Sequence, residues 1–141
     1  LPIYDPGFLG YEACTEEYPL QITGFHYKAH THSSYANNEV IQTAAQHVAW
    51  VNPVDAEARG IKDGDTIRVF NDCGEIRIEA KVTPRVIPGN VSIPQGMWHD
   101  ADMAGDRVDH GGCINTLTKY RPTPLAKANP QHSNIGQIAK A

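Results

Sequence analysis

Apolar and polar positions alternate through the middle of the chain and predict a series of short strands. Glu75–Val82 alternates apolar with charged residues, and Thr66–Phe70 before it is rich in β-forming residue types. Val91–Ile93 follows a Pro-Gly-Asn turn and predicts another strand. Val48–Val51 is wholly apolar, which is typical of a strand buried on both faces.

Two further segments, nearer the ends of the chain, also have strand character. Tyr18–His26 places Leu20 and Ile22 on one face, and Ser133–Ala139 carries a weaker signal. With the central segments they give about six short strands. The pattern alone therefore predicts a mostly β domain with small helices.

Asparagine residues open both of the predicted helices. Asn52 can offer its side-chain oxygen to free backbone amides, and a proline follows at the first helical position. Gly60 ends that helix, and a tight turn containing Gly64 follows it. Asn38 caps a second helix over Glu39–His47. The apolar stripe of this second helix comprises Val40, Ile41, Ala44 and Ala45.

Three segments show no regular periodicity. Leu1–Glu17 predicts an extended arm or a linker from a preceding domain, which leaves residues 18–141 as one domain. Tyr27–Asn38 is a loop by composition, being rich in His, Ser and Asn. Met97–Pro124 is long and irregular, as loops are when they bind a ligand or contact a partner.

Charge and composition exclude several classes of protein. The 12 Lys and Arg against 16 Asp and Glu give a net charge of −4, so no footprint for nucleic acid or an anionic membrane exists. No apolar run approaches the roughly 20 residues that span a bilayer. Leu1 is followed by no basic and then apolar region of the kind that predicts a signal peptide. The 3 cysteines include no CxxC pair, so a disulfide framework is not expected.

The first candidate site is the polar run His30, Thr31, His32 and Ser33. The residues alone leave three interpretations open. The run is a solvated surface loop, or its two histidines ligate a metal, or its hydroxyls, imidazoles and amides bind an anion and the edge of a heterocycle. No nearby cysteine or carboxylate completes a metal site.

Polar residues later in the chain offer further candidates. Asn115 precedes a short helical turn, where an asparagine is either a cap or a hydrogen-bonding partner for a purine or pterin edge. Gln131 and His132 form a polar pair near the end of the chain. No Gly-rich phosphate loop and no nucleophile motif occurs, so no residue is predicted to be catalytic and none to bind a metal.

An ordered set of motifs resembles one known family. It comprises NPVDAEARGIKDGDTIRVFNDCGEI from Asn52, then PQGMWH, CINTLT and NPQHSN. The set is similar to the molybdopterin dinucleotide-binding domain of the dimethyl sulfoxide reductase family, and most similar to the anaerobic dimethyl sulfoxide reductase A subunits. The resemblance extends from about Tyr18 to the end of the chain. It implies a double-psi β-barrel.

The resemblance also implies which residues contact the cofactor. By its motif positions they are His30, Thr31, His32, Ser33, Asn115, Gln131 and His132. The loop around His30 would act largely through its backbone, and either Gln131 or His132 would match a family position that holds Gln or Lys. His99 stands where the family commonly has an aromatic residue, so no contact is assigned to it.

A cofactor and partners from outside this chain are implied as well. The cofactor is bis(molybdopterin guanine dinucleotide) with molybdenum or tungsten, and the metal ligand comes from another region of the same catalytic subunit. The intact enzyme would reduce S-oxides or N-oxides in anaerobic electron transport. Its partners would be an iron–sulfur subunit and a membrane anchor subunit, which would hold it at the membrane. The periplasmic face is expected, and the cytoplasmic face is the alternative. This chain would be the C-terminal domain, without direct membrane insertion and inactive when isolated.

One alternative comes from another functional class. The chain would then be a stand-alone β-barrel module that binds a metal or a small anion and has no redox role. A complete small enzyme is disfavoured because the sequence lacks a catalytic set of residues.

Overall fold

The computed structural model describes residues 1–3 and 10–141 of the chain. Within them, six strands and two short α-helices follow one another. Their bounds are β1 Leu20–Phe25, α1 Glu39–Ala44, β2 Val48–Val51, α2 Pro53–Glu57, β3 Thr66–Asn71, β4 Gly74–Val82, β5 Asn90–Pro94 and β6 Asn134–Lys140. Two 3₁₀ turns occupy Tyr11–Ala13 and Ile114–Leu117. The predicted arm over residues 1–17 includes residues 4–9, which lie outside the described part.

The six strands close into one barrel in the order β1-β5-β2-β4-β3-β6. β1 pairs with β5 in parallel, as β2 does with β4, and all the other neighbours are antiparallel. Closure pairs β6 back to β1, so no edge strand remains among the described strands. The predicted fold class, a mostly β barrel of about six strands with small helices, is confirmed.

Strand alternation places every second residue inside the barrel. In β4, Ile76, Ile78 and Ala80 are 0–5% exposed. In β2, Val48, Ala49 and Val51 are all buried, as a wholly apolar strand predicts. Full burial of a side chain of this size contributes about 1.5–3 kcal/mol, so the barrel interior is the main source of the fold's stability.

Helix α2 begins where the sequence predicts it to begin. The side-chain oxygen of Asn52 accepts from the amide of Val54 at 2.9 Å, and its amide nitrogen donates to the carbonyl of Val86 at 2.7 Å. Gly60 has φ of +64°, the left-handed conformation expected of a residue that follows a helix. The cap is therefore also a link between α2 and the turn before β5.

Helix α1 is shorter and more exposed than its sequence predicts. Asn38 caps it by accepting two hydrogen bonds from helical amides. The helix ends at Ala44 rather than at His47, because Ala45 is extended, with φ of −154°. Val40 is 76% exposed and no residue of α1 is buried. The predicted apolar stripe does not pack on the core, since the closed barrel is filled by its own strands.

Candidate functional site

The loop between β1 and α1 is held by two side chains that donate hydrogen bonds to its backbone carbonyls. His30 donates from Nδ1 to the carbonyl oxygen of His32, 2.6 Å away. The indole Nε1 of Trp98 donates to the carbonyl oxygen of Ser33 at 3.1 Å. His32 has a positive φ of 47°, which reverses the chain locally. The side chains of Thr31, His32 and Ser33 stay exposed to solvent.

Gly96 lies directly against this loop. Its φ is +102°, and a Cβ at this position would lie 1.8 Å from the carbonyl oxygen of His32. Only glycine allows both that conformation and that approach. The preceding residue, Gln95, donates its backbone amide to the carbonyl of Phe25 at 2.9 Å. The end of β5 and the loop after β1 therefore form a single wall.

The irregular segment after β5 is organised around the fully buried carboxylate of Asp109. That carboxylate accepts hydrogen bonds of 2.8–3.0 Å from the amides of Asp100, Gly111 and Cys113 and from the hydroxyl of Thr116. These bonds fix the 3₁₀ turn Ile114–Leu117, on which Asn115 is exposed. The side chain of Asn115 makes no hydrogen bond to the described residues, so its oxygen and its amino group are available to a ligand.

Four of the predicted residues meet around one cavity of about 160 Å³. They are His32, Ser33, Asn115 and Gln131. The other residues that line the cavity are Gln95, Gly96, Met97 and Ile114. The lining contains no Lys, Arg, Asp or Glu. Its hydrogen-bonding groups are therefore neutral amides, a hydroxyl, an imidazole and backbone groups.

The three other predicted residues do not line this cavity. His30 lies beside Gly96, and its Nε2 is buried without a partner among the described residues. Thr31 is exposed and forms an isolated β-bridge with Ser34. His132 directs both ring nitrogens at the protein rather than at the cavity. The predicted set thus divides into four residues at the cavity and three around it.

Sequence reasoning missed three residues that shape the site. The motif PQGMWH contributes to the family resemblance, and within it Gln95 and Gly96 line the cavity. Trp98 supports the loop through its indole, and His99 lines a different groove. Asp109 was not among the candidate residues. The signals that were available are a Gln-Gly pair that ends a strand and an Asp shortly before two glycines.

A larger groove, of about 630 Å³, lies elsewhere on the barrel. It is lined by residues that include Arg68, Glu75 and His99. The carboxylate of Glu75 is already engaged there, 2.6 Å from Arg68 and 2.8 Å from Arg77. None of the seven predicted residues lines this groove. The smaller cavity is the better candidate, because unpartnered neutral amides converge on it.

Burial perturbs two titrating groups near the predicted site. It lowers the pKa of His47, and a hydrogen bond to the carbonyl of Gly112 at 3.0 Å opposes this in part. Burial also raises the pKa of the Cys113 thiol, which keeps that thiol neutral. Over residues 1–3 and 10–141, no group of three or more His, Cys, Asp or Glu could hold a metal ion. No helix in the described ranges is long and apolar enough to cross a membrane.

One family model and several known proteins match this chain. Residues 20–135 match the family model described as "Molydopterin dinucleotide binding domain". The chain is 62% identical to the "Probable dimethyl sulfoxide reductase chain YnfF" of Escherichia coli (strain K12), over 99% of this chain and 18% of that protein. It is 55% identical to "Dimethyl sulfoxide reductase DmsA" of the same organism, over 99% of this chain and 17% of that protein.

More distant proteins share the same region. "Trimethylamine-N-oxide reductase" of Haemophilus influenzae (strain ATCC 51907 / DSM 11121 / KW20 / Rd) is 36% identical over 89% of this chain and 16% of its own length. The solved structure of "Acetylene Hydratase from Pelobacter acetylenicus" superposes with a TM-score of 0.79 at 19% identity, over all of this chain and 21% of the other, and so shows the shared fold. The chain spans less than a fifth of the length of each of the three reductase relatives. On the family match and these relatives together, the chain belongs to the molybdopterin dinucleotide binding domain family.

Proposed function

We propose that the chain is a cofactor-binding domain of a longer molybdenum oxidoreductase subunit, where it holds bis(molybdopterin guanine dinucleotide) for the reduction of S-oxides or N-oxides. The observation that carries the proposal is the convergence of His32, Ser33, Asn115 and Gln131 on one neutral polar cavity. These residues come from distant parts of the sequence and would have no reason to meet as separate solvated loops. The substrate class is supported by the relatives, which are a dimethyl sulfoxide reductase and a trimethylamine-N-oxide reductase.

The residues around the cavity fit one edge of such a cofactor. The cavity of about 160 Å³ is smaller than the roughly 300–1,000 Å³ of sites that enclose a whole ligand. It would therefore take one ring edge and leave the remaining arms against other surfaces. The unpartnered amide of Asn115 supplies one acceptor and two donors, as a fused heterocycle with both kinds of group requires. The loop at His32 and Ser33 would add backbone hydrogen-bonding groups to the contacts with that ring edge.

The work of this chain would be binding and orientation. The cofactor, when bound, supplies the oxygen-atom and electron chemistry. In the wall around Gly96, backbone lies directly against backbone, so this wall would hold a bound ring in one position. No residue of the chain is assigned to catalysis, and the isolated chain is expected to be colourless and inactive toward dimethyl sulfoxide.

The remaining partners belong to the same proposal. The rest of the catalytic subunit would supply the metal ligand and close the site. An iron–sulfur subunit and a membrane anchor subunit would deliver electrons in anaerobic respiration, and the enzyme would be held at the membrane through them, facing the periplasm. The stand-alone metal-binding module has less support, because the described residues offer no cluster of metal ligands.

A chimaera tests the proposal directly. The matching region of Escherichia coli DmsA, which is 55% identical, is replaced by this chain. The purified chimaera is expected to contain molybdenum and guanine nucleotide and to reduce dimethyl sulfoxide. Asn115→Ala should lower the guanine content of the chimaera. It should leave the melting temperature of the isolated 141-residue chain unchanged, because the side chain is exposed and has no hydrogen bond to the described residues.

The matched control for that variant is Asn37→Ala. Asn37 is also exposed, has no side-chain hydrogen bond to the described residues and does not line the cavity. Its substitution should leave the guanine content at the level of the unaltered chimaera. A folded chimaera that contains neither molybdenum nor guanine nucleotide would refute the proposed function.

A further inference from the structure

The side chain of Gln95 is buried yet lines the cavity. It is only 7% exposed and directly follows the last residue of β5. Its amide nitrogen Nε2 lies 3.4 Å from Nε2 of His132. Its carbonyl oxygen Oε1 accepts no hydrogen bond from the described residues. Gln95 lines the cavity, so this oxygen can accept a hydrogen bond from a ligand that enters it.

The partners of His132 determine which way the amide of Gln95 faces. Nδ1 of His132 lies 2.8 Å from the carbonyl oxygen of Gly24, which can only accept, so Nδ1 carries the proton. In the neutral imidazole, Nε2 is then an acceptor and requires a donor opposite it. The amino group of Gln95 is that donor. The carbonyl oxygen of Gln95 is thereby left free for the cavity.

Gly24 provides the space for this arrangement. A Cβ at Gly24 would lie 2.9 Å from Nε2 and 3.1 Å from Cγ of Gln95, so the side chain of Gln95 packs on bare backbone. Gly24 pairs with Ile93 in the parallel register of β1 and β5. This register places Gly24 beside the side chain of Gln95, two residues after Ile93. The position of Gln95 is thus set both by a neighbouring strand and by His132.

We infer that Gln95 is a binding residue of this cavity and accepts a hydrogen bond from an N–H donor of the ligand, while His132 is a positioning residue that orients its amide. The inference deepens the proposed function and rests on it. A cavity without charged side chains suits the neutral edge of a heterocycle better than a phosphate. The edge that fits is a 2-amino-4-oxopyrimidine, whose ring N–H and amino group are adjacent donors.

Guanine and pterin share this edge, so two experiments are needed. The first uses the DmsA chimaera with Gln95→Met, which keeps the size of the side chain and removes the oxygen. The rate at which guanine nucleotide and molybdenum leave the purified protein on warming is measured. Loss of one hydrogen bond in the cavity should speed release about tenfold. Gln46→Met is the matched control, since Gln46 is exposed and does not line the cavity.

The positioning role of His132 has its own readout. His132→Ala should speed release severalfold, and the double variant with Gln95→Met should release no faster than Gln95→Met alone. If His132 had only a structural role, the double variant would release the nucleotide faster than Gln95→Met alone. Independently, ¹⁵N spectra of the 141-residue chain should show the Nδ1-protonated tautomer of His132. The opposite tautomer would overturn the orientation assigned to Gln95.

The second experiment distinguishes the two sources of the edge. The 141-residue chain is titrated to millimolar concentration with guanosine diphosphate, inosine diphosphate and 6-hydroxymethylpterin, and the side-chain amide signals of Gln95 are followed by NMR. Movement with the guanosine but not the inosine nucleotide, which lacks the amino group, assigns the guanine edge. Movement with the pterin alone assigns the pterin edge. If none of the three moves these signals, the assignment of Gln95 is wrong.

Failure of the inference and failure of the proposed function give different results. A loaded chimaera in which Gln95→Met releases its nucleotide at the unaltered rate refutes the role of Gln95 and leaves the proposed function standing. A folded chimaera that is never loaded refutes both.

Discussion

Replacing Gly96 with alanine tests how closely the wall of the cavity must approach the loop after β1. The φ of +102° is a region that alanine rarely adopts, which costs about 1–3 kcal/mol. The new Cβ would also lie 1.8 Å from the carbonyl oxygen of His32. That oxygen belongs to the backbone, so no side-chain rotation relieves the overlap. We expect a total loss of at least about 3 kcal/mol.

Gly64→Ala is the matched control for this substitution. Gly64 has φ of +85°, but nothing lies within 4 Å of a Cβ built there. Its substitution should therefore cost only the conformational strain, about 1–2 kcal/mol. The difference between the two variants isolates the contact with His32. For a domain of this size, each kcal/mol lowers the melting temperature by roughly 3–4 °C.

Thermal melts and NMR spectra of the 141-residue chain would measure the difference. Gly96→Ala should melt about 10 °C below the unaltered chain, and the backbone signals of His32 and Ser33 should shift. Gly64→Ala should melt no more than about 7 °C lower and leave those signals in place. The reasoning is wrong if the two variants melt together and the signals of the loop do not move.

Three further predictions concern Asp109, Asn115 and His47. Asp109→Asn should lower the free energy of unfolding by at least about 2 kcal/mol, because its amino group would face backbone N–H donors inside the protein; urea unfolding measures this, and a loss below 0.5 kcal/mol, about that of a surface substitution, would contradict it. Asn115→Ala should reduce the guanine content of the DmsA chimaera without lowering the melting temperature of the isolated 141-residue chain; a lower melting temperature of that isolated chain would mark Asn115 as structural. The pKa of His47 is lower in the folded chain than its ordinary value of 6.5, so the unfolded chain binds a proton at this imidazole first as the pH falls. The contribution of neutral His47 to stability is therefore complete above pH 6.5 and is lost below it. His47→Gln keeps a donor for Gly112 and should remove that part of the pH dependence in melts between about pH 7 and 5; an unchanged slope would contradict the assignment.

The strands could be predicted because their pattern is local. The alternation in Glu75–Val82 marks β4 to within one residue of its observed start at Gly74. The helix caps at Asn38 and Asn52 were equally local, since a side chain bonds amides two or three residues ahead. The length of α1 was not predictable in this way. Whether Val40 is buried depends on an unoccupied core surface, which the closed barrel does not offer.

The site could be predicted only in part, for a related reason. Resemblance supplied Asn115 and Gln131, because their motifs are carried in the sequence itself. The place of Gln95 depends on the parallel register of β1 and β5, in which Phe25 faces Pro94. Nothing in either segment encodes that register. Asp109 acts through bonds that the folded segment makes around it, so its role also appears only in three dimensions.

The pairing of β1 has a consequence for how the protein reaches its native state. The neighbours of β1 in the barrel are β5 and β6, so Gln21 pairs with Asn90 on one side and with Ile135 on the other. Strand β1 therefore completes its pairing only after both of these later segments are in place. Contacts between such distant residues slow folding, because loops must close before any pairing is gained. The cavity needs residues from His32 to Gln131. During synthesis on the ribosome the cavity therefore cannot exist until nearly the whole domain has emerged, and any ligand of the cavity would bind only after that point.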